Sequence, residues 1–234
     1  MEDNLIKKLI TEAANKRKKE LIEDIAQSHF DAMAYLRECI RENVKDGWGL
    51  LPSFTPAEYC RASKVPLIEK DEYFIKLIDE IEMEYIIEDF KEFFGTGWSE
   101  TFNECIIHIK SDNFKSIIPF LISALEKAIN EVINKGENFF GINLKREYRN
   151  FVDHLDDHIY IKQLAFETKK VFEDYIFKNG IKGHNEIPIF NRNLIQHGND
   201  TPDRWGKVEL YKIISLIGGL IHMKNIISLS KTSE

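Results

Sequence analysis

An all-α fold is predicted by three features of the sequence. Apolar residues recur at three- and four-residue steps over most of the chain. Gly (12) and Pro (6) are scarce among the 234 residues, which argues against a sandwich or barrel built on many tight turns. Most of those that occur lie where a periodic stretch stops.

Taken in order, residues 3–45 are rich in Leu, Ile, Ala, Glu and Lys and favour helix until Asp46-Gly47-Trp48-Gly49. Residues 47–66 hold Pro52, Pro56 and Pro66 and read as an irregular connector with room for one helical turn. From Lys70 the apolar set Phe74, Leu77, Ile78, Ile81, Tyr85 and Phe90 predicts one helix ending at Gly95-Thr96-Gly97. Residues 101–110, TFNECIIHIK, fit a short strand or a helix equally. Ser116 is the expected N-cap of a helix with Pro119 in its first turn, ended by Lys135-Gly136. A long helical stretch runs from Leu144 to Lys178, with a break expected at Asp156-Asp157. Lys182 to Glu186 reads as a loop, and a short helix covers Pro188 to His197. Thr201-Pro202 opens the last helix, whose inner face is Leu210, Ile213, Ile214, Ile217, Leu220 and Ile221. Gly218-Gly219 inside it reads as a place of close packing.

Composition bounds the function. The chain is 43% hydrophobic and 30% charged, as ordinary globular proteins are, and long enough to bury a core without disulfides or metal. Its net charge of −7 argues against a broad electrostatic nucleic-acid binder. Residues 69–100 carry eleven acids and three bases, a local balance of −8, so the rest of the chain is near neutral and leaves room for a local basic groove. The basic run Lys16-Arg17-Lys18-Lys19 is followed by Glu20, Glu23 and Asp24 and reads as a solvated helix face. No apolar run approaches the length of a membrane span, and the charged stretch MEDNLIKKLITEAANKRKKE lacks the apolar core of a secretory leader. A cytoplasmic protein with no membrane partner is the expectation. Cys39, Cys60 and Cys105 form no C-x-x-C pair and read as thiols of a reducing compartment.

Residues 187–200, IPIFNRNLIQHGND, are the most informative segment. Asn191, Arg192, Asn193 and His197 are packed between apolar residues, with four residues separating Arg192 from His197. This resembles the Arg-x4–6-His motif of HEPN domains, a superfamily of helical bundles that includes metal-independent ribonucleases. The wording Asn-Arg-x-x-Ile-x-His-Gly is similar to a bacterial group in which the motif helix follows a proline and precedes the final helix, as Pro188 and the 202–228 stretch do here. The resemblance covers about residues 112–230. It implies a HEPN-like helical bundle at 111–234, leaving 1–110 as a helical N-terminal extension of unassigned role. The bare spacing occurs a second time, in Arg149…His154, but that pair sits in a charged helix with neither the proline nor the glycine.

The residue types suit RNA cleavage by the RNA's own 2′-hydroxyl. Histidine moves protons near neutrality, and the arginine fork holds phosphate oxygens. His197 is assigned proton transfer, Arg192 stabilisation of the pentacoordinate phosphorus, and Asn193 positioning from the same helix face as His197. Arg192 lies about 140° around an ideal helix from His197, so one helix does not aim both at one phosphate. The resemblance implies a homodimer in which motifs from two copies line one cleft, with RNA as substrate and no cofactor or metal. Asn191, Lys212 and Arg204 are the candidate substrate-binding residues, with Lys182, His184 and Lys207 also nearby in sequence. Trp205 and Tyr211 read first as packing residues and second as base-stacking ones.

Related proteins act as toxins or in defence against phage, so growth arrest on expression is expected, and an antitoxin or regulatory partner is admitted. Asn199 stands where some of those toxins carry a modified tyrosine, which tells against that style of pairing. Three alternatives stay open. One is a non-catalytic HEPN-like module that binds RNA or protein. Another is a helical interaction protein with no nucleic-acid role. The third is a metal site on His154 and His158, at i and i+4, although Leu155 stands where H-E-x-x-H has its glutamate.

Overall fold

Ten α-helices and no strand are present in the described residues of the computed structural model, which are 2–155, 160–178 and 190–231. The all-α class holds. The helices are α1 (Glu2–Val44), α2 (Pro56–Ala62), α3 (Leu67–Ile81), α4 (Met83–Phe94), α5 (Thr96–Lys110), α6 (Ile118–Ile133), α7 (Gly141–Asp153), α8 (Ile161–Val171), α9 (Arg192–Gln196) and α10 (Lys207–Lys231).

Helix α10 is the axis of the fold. It packs on α3, α4, α6 and α8. Every residue from Leu210 to Ile221 is buried, so the helix is enclosed on all sides rather than along the single face predicted. It is also the one described helix long and apolar enough to cross a membrane, a property that no run in the sequence was expected to have; most of its apolar stretch lies inside this core. Gly218 and Gly219 do mark close packing, but against a loop. A Cβ at Gly218 would sit 2.2 Å from Leu51 Cδ2, and one at Gly49 would meet the Ser215 carbonyl oxygen at 2.2 Å. The Gly49 N–H donates to Ser215 Oγ at 2.9 Å, which fixes that approach.

One core runs from Leu36 to Met223. The expected division at 110/111 therefore does not separate two cores. Helix α1 packs on α8, and Trp48, stacked 4.7 Å from Phe74, donates to Asp71 Oδ1 at 2.7 Å. Lys212 of α10 approaches the same carboxylate at 3.1 Å.

Elsewhere the boundaries move for local reasons. The connector's helical turn is α2, held by a capping box between Thr55 and Glu58. The single helix expected after Lys70 is two, because Glu82 adopts φ 65° between α3 and α4. The ambiguous 101–110 stretch lies in α5, burying Phe102, Cys105 and Ile109 at helical spacing. Ser116 does not cap α6. Its hydroxyl donates to the Asn113 carbonyl, and Ile117 takes the cap position. Thr201 does not cap α10, which starts only at Lys207 after a tight turn over Pro202–Arg204.

Candidate functional site

Three short-range devices place the motif helix. Helix α8 widens at its end into a π turn, Phe172–Ile176, where the Phe177 N–H donates to the Phe172 carbonyl at 2.8 Å. The Asn191 amide donates to the carbonyls of Tyr175 (2.5 Å) and Lys178 (3.0 Å), while its Oδ1 accepts from the Leu194 N–H at 3.1 Å. Asn191 is thus the buried N-cap of α9 and the clamp between α9 and the end of α8. With its amide engaged on both sides, it is a positioning residue and not the substrate contact expected of it. The helix begins at Arg192 because Asn191 caps it. Residues 179–189, including Lys182, His184 and Pro188, lie outside the described residues.

Arg192 turns inward. Its Nε donates to Glu126 Oε1 of α6 at 2.6 Å, and its Nη1 donates to Asn193 Oδ1 at 3.0 Å. Both side chains of the Arg192–Glu126 pair are largely buried, at 18% and 11% exposure. The open fork expected of Arg192 is therefore partly occupied, through Nε and Nη1. His197 closes α9 as its C-cap, five residues on and exposed, followed by Gly198 at φ 67°. The structure joins Arg192 to Asn193 and sets His197 apart, at the opposite end of the same short helix.

The other candidates scatter. Lys212 is 3% exposed, bonded to Asp71 and placed 5.6 Å over the Trp48 ring, so it serves the core of the N-terminal half and is closed to a substrate. Arg204 is exposed on the turn before α10. Trp205 donates to Asp200 Oδ2 at 2.9 Å, and the Tyr211 hydroxyl donates to Asp79 Oδ1 at 2.6 Å, the packing roles expected first. Lys207 pairs with Asp79 at 2.7 Å. His154 holds the Asn150 carbonyl through Nδ1 at 2.7 Å as the cap of α7, and its metal-site companion His158 lies outside the described residues. Cys39, Cys60 and Cys105 are free and buried, and burial pushes the Cys60 and Cys105 thiols up to about 12.

Sequence reasoning missed the cleft beside the motif. A depression of about 410 Å³ opens between α7, the end of α8 and α9, lined by Lys145, Arg146, Arg149, Phe177, Lys178 and Asn193. Asn130 of α6 holds the chain that leads into α7. This buried amide takes the Phe139 N–H (2.7 Å) and donates to the Phe139 carbonyl (3.1 Å), fixing the turn before α7. The legible signal was the spacing 142, 145, 146, 149, one face of a helix carrying three cations. Arg149, read as the chance match, therefore lines the same cleft as Asn193.

No family model, curated protein or solved structure matches this chain.

Proposed function

We propose that this chain is a metal-independent endoribonuclease of HEPN-like type, working as a homodimer through Arg192, Asn193 and His197. The observation that carries the reading is the state of Arg192. A guanidinium held by Glu126 through Nε and by Asn193 through Nη1 is pre-oriented in the way a charge-stabilising group needs to be. In this reaction a histidine base takes the proton of the RNA 2′-hydroxyl, the 2′-oxygen attacks phosphorus, and the 5′-oxygen leaves with a proton. The products are a 2′,3′-cyclic phosphate and a 5′-hydroxyl. The exposed imidazole of His197 suits the proton role, and Arg192 suits the non-bridging oxygens. The separation of His197 from Arg192 along α9 supports a site completed by a second copy.

The buried Arg192–Glu126 pair also favours a second reading, in which Arg192 is a clamp of α9 onto α6 and the domain is a non-catalytic binding module. Cleavage of a mixed structured RNA pool in EDTA separates the two. The first reading expects cleavage by the wild type, lost in Arg192→Lys and His197→Ala and kept in His154→Ala. An intact fold with no cleavage by the wild type overturns it.

A further inference from the structure

We infer that the cleft between α7, α8 and α9 binds the sugar-phosphate backbone of single-stranded RNA; this rests on the ribonuclease reading above and names where that enzyme holds its substrate. Four cations of an otherwise acidic chain meet there, and among the described residues the lining contains no carboxylate. The nearest acids sit behind them as struts. Glu173 accepts from Arg149 Nε and Nη2 at 2.8 and 2.6 Å, and Glu147 accepts from Arg146 at 3.1 Å and from Lys135 at 2.6 Å. Arg146 remains 62% exposed and Arg149 50%. Lys145 and Arg149 stand at i and i+4 on one face of α7. Their advance along α7 is about 6 Å, of the order of one phosphate-to-phosphate step.

The dimensions favour one strand. A space of about 410 Å³ is of the size that takes a short stretch of one backbone. Phe140, strongly exposed just before α7, offers an aromatic face on which a base stacks, with the exposed Ile142 as an apolar contact beside it in sequence. Asn193 belongs both to the cleft and to the Arg192 bond, so a strand held in the cleft is delivered to the motif.

The test is fluorescence anisotropy of a labelled ten-nucleotide 2′-O-methyl RNA, which binds but cannot be cut, with full-length protein in EDTA. Lys145→Ala, Arg146→Ala and Lys178→Ala are each expected to weaken binding about five-fold at low salt and to reduce the salt slope by about 0.7. Lys110→Ala, on α5, is the control and should bind as wild type, and thermal melts verify folding of each variant. Cleft variants that bind as wild type, a wild type that does not bind, or equal competition by polyglutamate or by a free mononucleotide each overturn the assignment. Cleft-dependent binding of the methylated strand without cleavage of ordinary RNA overturns only the ribonuclease reading.

Discussion

The chain contains the same Arg-x4-His spacing twice, and the two copies have opposite fates. In α7, Arg149 lies at the surface with its charge shared with Glu173, and His154 spends its Nδ1 on a backbone carbonyl. In α9, Arg192 is drawn into a buried pair, and His197 is left open to solvent. What differs is the neighbour each arginine meets: Glu173 on an exposed helix end, or Glu126 inside a packed helix. Spacing selects candidates, and burial decides which arginine is held still. Yet both helices border one cleft, so the surface copy is a plausible partner in binding while the buried copy is the better candidate for chemistry.

The strongest way to break this contrast is Arg192→Ala. It leaves Glu126 buried and unpaired, so a loss of about 3 kcal/mol in urea denaturation is expected, together with at least about a 100-fold loss of cleavage. Arg149→Ala should cost under about 1 kcal/mol, since its pair is half exposed, and should act through binding. Equal destabilisation by the two would erase the distinction.

Next in size is His197→Ala, expected to lower cleavage about 100-fold with an unchanged melting temperature, against less than about two-fold for His154→Ala. Adding Glu126→Gln to Arg192→Ala sharpens the comparison further. The double variant should regain about 1–2 kcal/mol without regaining activity, because the buried charge is gone while the guanidinium is still missing.

The smallest effect separates both motif histidines from acid stability. Burial holds the His222 pKa below its ordinary 6.5, and its Nε2 meets the Tyr160 hydroxyl at 3.2 Å. The unfolded chain takes up that proton first as pH falls. The His222 contribution is therefore complete above pH 6.5 and is lost as the pH falls below it. Melting from pH 8 to 5 should show this decline in wild type and His197→Ala and a flatter profile in His222→Gln; an unchanged profile in His222→Gln would assign the decline elsewhere.

Helix class and most element ends were legible because they depend on local periodicity and on caps a few residues away. The break at Glu82 was not, since a glutamate at positive φ carries no turn signal of its own. Ser116 and Thr201 are good capping types whose neighbours took the role from them. The polar segment at 191–197 could be picked out as a site, but the direction of each side chain could not. Glu126, 66 residues before Arg192, captures it, and Asp71, 141 residues before Lys212, captures that lysine. Partners so far apart in sequence leave no mark on the local pattern. The cleft suffered likewise, because its cations come from α7 and the end of α8 while its amide comes from α9.

The seating of Gly49 on Ser215 has a consequence for biosynthesis. Residues 166 apart must touch before the loop after α1 can lie down, and α10 fills the space among α3, α4, α6 and α8. A nascent chain leaving the ribosome therefore carries an open apolar trough until its last described helix emerges. The seat for the loop after α1 is therefore complete only once α10 has been made, late in synthesis.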